Sequence, residues 1–244
     1  MPNAWREERS RCRETRIPDT KEFATKPALV REMLDRAVHA RIPALWVAAD
    51  EVYGSDSKFK MFLETRGLND VVTISCQQRL FLNDAHGRVD EHVEALRSKA
   101  WKKLSCGSGT KGNRVYEWAF VPFRIPTAAG KRKGLLVRRS RKDQTDIAYY
   151  FALARARTRL QSLVNVAECR SAIEEYFEHS NQETGLDEYE FCSWHAWHRH
   201  ITLSMFAHAI LSVLRCQANL QDVKKGDVIP LTAPEVRQWL IRIA

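Results

Sequence analysis

The feature that most constrains the fold is a six-residue apolar run, Ala44-Leu45-Trp46-Val47-Ala48-Ala49, that stops abruptly at Asp50-Glu51 ahead of Tyr53-Gly54. An unbroken apolar run of this length, closed by polar residues and glycine, reads as a buried strand whose C-terminal end presents an acid. Upstream, Lys26-Pro27 to Ala40 reads as a helix, with proline in its first turn and Leu29, Met33, Leu34, Ala37 and Val38 on one stripe. Downstream, residues 55 to 66 suit a helix capped by Ser55 or Asp56 and stopped at Gly67, followed by a second strand from Val71 to Cys76. Helix, strand, helix, strand implies a parallel α/β core.

From Gln77 to about Tyr150 the pattern changes to short β-like pieces, around Val115 to Phe123 and Gly134 to Arg139, separated by Gly- and Lys-rich loops. This stretch reads as an inserted subdomain. A long helix is then expected from about Arg159 to Ser180, broken at Gly185, and another from about Ser193 to Arg215. Thr232-Ala233-Pro234-Glu235 is a capping box that opens a last amphipathic helix containing Val236, Trp239, Leu240 and Ile243. The expected divisions are 1–76 for a partial core, 77–154 for the β-rich insertion, 155–219 for core helices and 220–244 for a helical tail.

At 244 residues the chain is long enough for a packed core. The six cysteines, Cys12, Cys76, Cys106, Cys169, Cys192 and Cys216, include no C-x-x-C pair, which argues against a zinc or redox motif and for a reducing, cytoplasmic compartment. The N-terminus is polar, and no apolar run reads as long enough to span a bilayer, so no membrane partner is expected.

The formal charge of +9 is unevenly distributed, with twelve Lys/Arg against the single acid Glu117 between Trp101 and Lys142. Such a run is commonly a solvated face, but it lies beside Trp101, Tyr116, Trp118, Phe120 and Phe123, as on a folded surface that faces nucleic acid. Candidate DNA contacts are Lys111, Arg114, Lys131, Arg132, Lys133, Arg138 and Arg139.

Two acids are candidates for chemistry. Asp50 sits where a parallel strand ends, the place where α/β sheets present metal- and ligand-binding groups; it serves equally as a turn or helix-cap aspartate. Glu174, in Arg170-Ser-Ala-Ile-Glu174, shares a helix face with Arg170, a spacing that an ordinary i,i+4 ion pair also explains. The Gly107–Gly112 loop lacks Walker spacing and reads as a hairpin connection. His195, His198 and His200 lack the spacing of a zincin helix and read as structural or DNA-proximal, and Trp194 and Trp197 as packing residues.

The string Trp46-Val47-Ala48-Ala49-Asp50-Glu51-Val52-Tyr53-Gly54, with Phe23-Ala24-Thr25-Lys26-Pro27 before it, resembles the second-acid segment of insertion-sequence DDE transposases of the seven-zero-one group. Leu104 to Gly112 followed by Arg114-Val115-Tyr116-Glu117-Trp118-Ala119 resembles the insertion-domain signature of that group. Ala172 to Phe177, Gly185-Leu186-Asp187, Tyr189 and Trp197 to Leu203 resemble the segment holding its last acid. The resemblance implies an α/β, RNase H-like core with an inserted β-rich subdomain and C-terminal helices. It further implies Mg²⁺-dependent cleavage and strand transfer at insertion-sequence ends, and a protein that can act as a homo-oligomer on end and target DNA. Asp50 and Glu174 match metal ligands of the family, and Arg170 matches the arginine of its last signature.

The family's Tyr and Lys positions are Ala167 and Asn181 here, so the DNA-backbone contact at 181 keeps hydrogen bonding but loses a charge. The family's first acid has no counterpart, which implies a reading frame truncated at its 5′ end and an incomplete core lacking its first strands. A defective enzyme is then expected, or a DNA-binding fragment or remnant that could inhibit an intact transposase, with an open sheet edge beside Asp50.

Overall fold

The computed structural model describes residues 8–82, 85–109, 112–125, 127, 130–190, 192–222 and 231–243. The chain forms two compact units, one of Ala24–Ser171 and one made of Met1–Phe23 with Ala172–Ala244. The first short helix, α1 (Arg9–Glu14), belongs to the terminal unit and buries Cys12.

The larger unit begins with α2 (Lys26–His39), where Pro27 fills the first turn and Thr25 accepts a hydrogen bond from the Ala28 N–H. Its inward side carries Val30 and Leu34, while Leu29, Met33 and Val38 are exposed. The apolar stripe therefore splits into two faces, and only one of them meets the core. Strand β1 (Trp46–Ala49) runs parallel to β2 (Asn69–Ile74), with Trp46 opposite Asn69 and Ala49 opposite Val72. Between them lie α3 (Glu51–Gly54) and α4 (Ser57–Thr65), the latter capped by Asp56, whose Oδ1 accepts from the Phe59 N–H at 2.6 Å. Gly67, at φ +67°, lets the chain leave α4 in the left-handed conformation that suits glycine. Removing the cap in Asp56→Ala is expected to cost about 1 kcal/mol, read as a lower denaturation midpoint at unchanged m-value.

A separate hairpin follows, β3 (Arg79–Leu82) with β4 (Ala85–Arg88), and then α5 (Val89–Glu94) and a 3-10 turn over Ser98–Ala100. The remaining strands, β5 (Lys102–Gly109), β6 (Gly112–Pro122), β7 (Lys131–Arg139) and β8 (Ile147–Arg155), form an antiparallel meander. Gly107–Gly109 closes β5 and Gly112 opens β6, with Gly109 opposite Gly112, and the connection between them lies outside the described residues. Strand β8 also pairs antiparallel with β2, from Asp70 opposite Leu153 to Ile74 opposite Tyr149. One six-stranded mixed sheet results, in the order β1-β2-β8-β7-β6-β5. The strands of the stretch that reads as an insertion thus hydrogen-bond onto β2.

This order places β1 at an edge, where among the described residues it pairs with β2 alone. The open edge beside Asp50 is present. The expectation of a fully buried strand is not met: the four residues of β1 are half-buried and Leu45 just before it is exposed, because an edge strand has a neighbour on one side only.

Side-chain alternation builds a core on each face of the sheet. One face joins Val71, Trp118, Leu136, Tyr150 and Ala152 to Leu163, Val164 and Ala167 of α6 (Leu160–Glu168). The other packs Ile74, Leu135 and Val137 on Leu82, Val89 and Val93, and Val72 on Phe59 and Leu63. Where a single helix is expected over 159–180 there are two, α6 and α7 (Arg170–Thr184). The break falls at Cys169, whose N–H is shared between the carbonyls of Asn165 (3.0 Å) and Val166 (3.2 Å), a tightened helix end.

In the terminal unit α7 is followed by Gly185 at φ +60°, then by α8 (Trp194–Asp222) and α9 (Ala233–Ile243). Tyr176 of α7 meets His208 of α8 edge-on with ring centroids 4.5 Å apart. The Asn219 side chain bonds both backbone groups of Leu231, and Arg237 pairs with Glu183 at 3.2 Å. The Glu235 carboxylate accepts from the Thr232 N–H and hydroxyl, both at 2.7 Å, which makes the glutamate half of the capping box. Helix α8 bears on the expectation that no apolar run reaches bilayer length. Its segment Trp194–Leu220 is long and apolar enough to cross a membrane by length and composition alone, with Arg199 and Arg215 its only Lys, Arg, Asp or Glu.

Candidate active site

Asp50 is the residue at which β1 ends, and it is also the N-cap of α3. Its Oδ1 accepts from the Val52 N–H at 2.9 Å, and its backbone is extended (φ −80°, ψ −177°). The helix-cap reading of this aspartate holds: Oδ1 caps α3, and among the described residues Oδ2 has no hydrogen bond. The turn stays tight because Gly54 packs directly against the backbone of β2 at Thr73.

Arg170 opens α7, and Glu174 and Asn181 follow on the same helix. At 3.6 residues per turn the three positions share one face. The Glu174 side chain is exposed and that of Asn181 half-buried. Asp50 belongs to the larger unit and Glu174 to the terminal one.

Among the predicted DNA contacts, Lys111 lies outside the described residues. The others are drawn into the protein's own interactions. Along β7, Lys131, Lys133 and Arg139 share one face with Leu135 and Val137, and Arg132 and Arg138 share the other with Leu136. Lys133 Nζ donates to Glu64 at 2.6 Å, and Lys131 Nζ donates to the carbonyls of Gly67 (2.6 Å) and Leu68 (3.0 Å). Arg139 bonds Glu117 at 2.7 Å and lies 4.1 Å over the Trp101 ring. Arg132 donates to the Thr158 carbonyl and covers Phe120, and Arg138 covers Tyr116, with 4.6 Å to the ring centre in both cases. Arg114 and Arg138 converge on Glu168, at 3.9 and 3.6 Å. The aromatics beside the basic run therefore act largely as cation–π platforms for it. Lys102, Lys103, Arg141 and Lys142 are exposed at one end of the sheet, since β5 starts and β7 finishes there.

Residue-by-residue reading missed Asp70. It sits in β2 opposite Leu153, is 1 % exposed, and its Oδ1 has no hydrogen-bond partner. Burial pushes its carboxyl up to about 8, against the opposing pull of Lys131, the Leu153 N–H and Lys133. Lys60, on α4, is pushed down by burial, opposed by the charges of Asp70 and Asp56. The available signal was the acid in Asn69-Asp-Val-Val-Thr-Ile74, where alternation places position 70 on the same inward face as Val72 and Ile74.

Two of the three histidines near the start of α8 are engaged in other contacts. His200 Nε2 lies 2.9 Å from the Gly185 carbonyl, and His198 stacks edge-on against Trp194 and Trp197. Among the described residues no group of three His, Cys, Asp or Glu side chains is placed to hold a metal ion.

Residues 1–111 match the family model described as DDE superfamily endonuclease. No curated protein matches the chain. The mixed α/β architecture, with a curled six-stranded sheet and helices, is consistent with the RNase H-like fold of DDE-type enzymes.

Proposed function

We propose that this chain is a transposase-type DNA endonuclease, cutting and joining strands at insertion-sequence ends in the manner of the seven-zero-one group. The observation that carries this reading is the DDE endonuclease match over residues 1–111 with Asp50 inside it at the C-terminal end of a parallel strand. Asp50 and Glu174 are the carboxylates that would hold Mg²⁺, a cation that prefers hard oxygen donors. When bound, such ions stabilise the attacking and leaving oxygens of an in-line displacement at phosphorus. The donor chemistry suits the ion, and among the described residues no group of three His, Cys, Asp or Glu side chains is placed to hold one. What the chain itself contributes at Asp50 is a carboxylate fixed by the Val52 N–H, its second oxygen without a hydrogen bond among the described residues. Arg170, one turn before Glu174, would orient that acid or contact the DNA backbone, with Asn181 two turns further on.

Phosphate contacts are assigned first to the exposed Lys102, Lys103, Arg141 and Lys142. The internally paired Arg114, Lys131, Arg132, Lys133, Arg138 and Arg139 would stiffen the surface that presents them. The absence of such a group among the described residues favours a second reading, in which the chain binds DNA without cutting it and competes with an intact transposase. One assay separates the two: full-length protein with a supercoiled plasmid bearing the element's ends, in Mg²⁺ or in chelator. Nicking that needs Mg²⁺ and vanishes in Asp50→Asn and Glu174→Gln supports the enzyme. Salt-sensitive binding without nicking, with a log–log slope that falls by about 0.9 for each exposed lysine or arginine replaced by glutamine, supports the binding module. Neither nicking nor salt-sensitive binding would overturn both.

A further inference from the structure

In the terminal unit the C-terminal turns of α8, the second half of α7 and the start of α9 border a cleft of about 650 Å³. That lies inside the range of roughly 300–1,000 Å³ typical of small-molecule sites. Asn219 sets its width, because its side-chain amide bonds both backbone groups of Leu231 at 3.1 and 2.7 Å and so fixes where the chain re-enters ahead of α9. The walls are largely apolar, with Leu220, Leu231, Ala233 and Pro234 on them. The charged groups of the cleft are of one sign: Arg215 and His179 line it, and no acid does. Glu183 is committed to Arg237 at 3.2 Å, and the Glu235 carboxylate to the Thr232 N–H and hydroxyl. Arg215 is half-buried, and among the described residues it makes no hydrogen bond or ion pair, which leaves its five N–H donors for water or a ligand. Two turns earlier on the same helix face, His208 is 5 % exposed and its Nδ1 has no hydrogen-bond partner. Its imidazole is pushed down by burial and then by the neighbouring His179 and Arg215, with Glu183 opposing, as expected where positive charge is left unbalanced.

We propose that this cleft binds a small organic anion made of one carboxylate and an apolar body, with the carboxylate on the Arg215 guanidinium and the body against Leu220, Leu231, Ala233 and Pro234. A guanidinium meets a carboxylate through two parallel N–H···O bonds, and the His179 imidazole stands beside it as a further donor. The apolar walls give the rest of the molecule a place out of water. Inorganic phosphate and a nucleic-acid backbone are poorer occupants, since they offer those walls no apolar surface. The Glu235 carboxylate, moreover, already stands at the start of α9, where a phosphate would otherwise sit. The site lies wholly in the terminal unit and does not depend on whether the chain cuts DNA.

Isothermal titration of the full chain with sodium decanoate, kept below its micellar concentration at neutral pH, tests the proposal. Saturation at one site per chain is expected, and Arg215→Gln is expected to weaken it about tenfold, the worth of one charge-assisted hydrogen bond. Arg199→Gln, on the same helix but not lining the cleft, is expected to leave binding unchanged, which separates the site from the chain's general positive charge. Leu220→Trp fills the cleft from a position that is 63 % exposed, so it is expected to abolish binding with unchanged far-UV circular dichroism, and it decides the matter should Arg215→Gln fail to fold. Decanoate that does not bind, that binds at many equivalent sites, or that is indifferent to Arg215→Gln or to Leu220→Trp overturns the proposal, as does an equal loss in Arg199→Gln. Displacement of decanoate by an equal concentration of inorganic phosphate overturns it too, since the ligand would then be a bare anion.

Discussion

Gly54→Ala is expected to lose about 3 kcal/mol or more of stability, a large share of the roughly 5–15 kcal/mol that holds a typical domain together. A Cβ at this position would lie 1.8 Å from the Thr73 carbonyl oxygen and 2.9 Å from its carbon. Both are backbone atoms of β2, a strand paired on both sides and unable to step back without breaking its ladders to β1 and β8. A flexible side chain could yield to the new methyl; a paired carbonyl cannot. The turn that carries Asp50 would move with it, so stability and any activity that depends on Asp50 should fall together. Gly67→Ala supplies the contrast. Gly67 has φ +67° with nothing within 4 Å of the added Cβ, so the expected cost is only the left-handed strain, about 1–2 kcal/mol. Urea denaturation of the two variants distinguishes the mechanisms, and a Gly54→Ala protein no less stable than Gly67→Ala would refute the close-approach argument.

Asp70→Asn is expected to stabilise the protein near pH 8 and to remove a pH dependence. With a folded-state pKa of about 8 against an ordinary carboxyl value of 3.8, the native chain holds a proton that the unfolded chain releases. Between about pH 4 and pH 8 the unfolded state therefore binds fewer protons, and stability falls as pH rises, levelling off above 8. A shift of this size corresponds to at most about 6 kcal/mol at about 1.36 kcal/mol per unit. Relaxation around Lys131 and Lys133 should reduce this to a few kcal/mol. Asparagine keeps the shape and cannot ionise. The difference between wild-type and Asp70→Asn melting temperatures, followed from pH 4 to 9, isolates the contribution of this residue. A difference that does not grow with pH would show that Asp70 ionises as an ordinary carboxylate.

What the sequence determined by itself is what short-range physics controls. The helices over 26–39 and 57–65, the Asp56 cap, the Gly67 and Gly185 exits and the Thr232–Glu235 bond all follow from contacts within one or two turns, and they stand as the residues imply. Asp50 at a strand end was legible for the same reason, whereas Glu174 was singled out only by resemblance, since an i,i+4 pair looks alike on any helix.

Only the tertiary structure decided which neighbours each element has. The pairing of β8 with β2, the edge position of β1 and the outward half of the α2 stripe depend on segments up to a hundred residues apart in the chain. The basic run looked unopposed because its acids are remote in sequence: Lys133 finds Glu64 across 69 positions, and Arg114 and Arg138 find Glu168. The same holds for Asp70, an unremarkable acid in a short strand until β8 and α4 close over it and water can no longer solvate its charge. Local periodicity and capping act through neighbouring residues, but ion pairing and desolvation are set by whatever the folded chain brings near, and that is fixed by the fold as a whole.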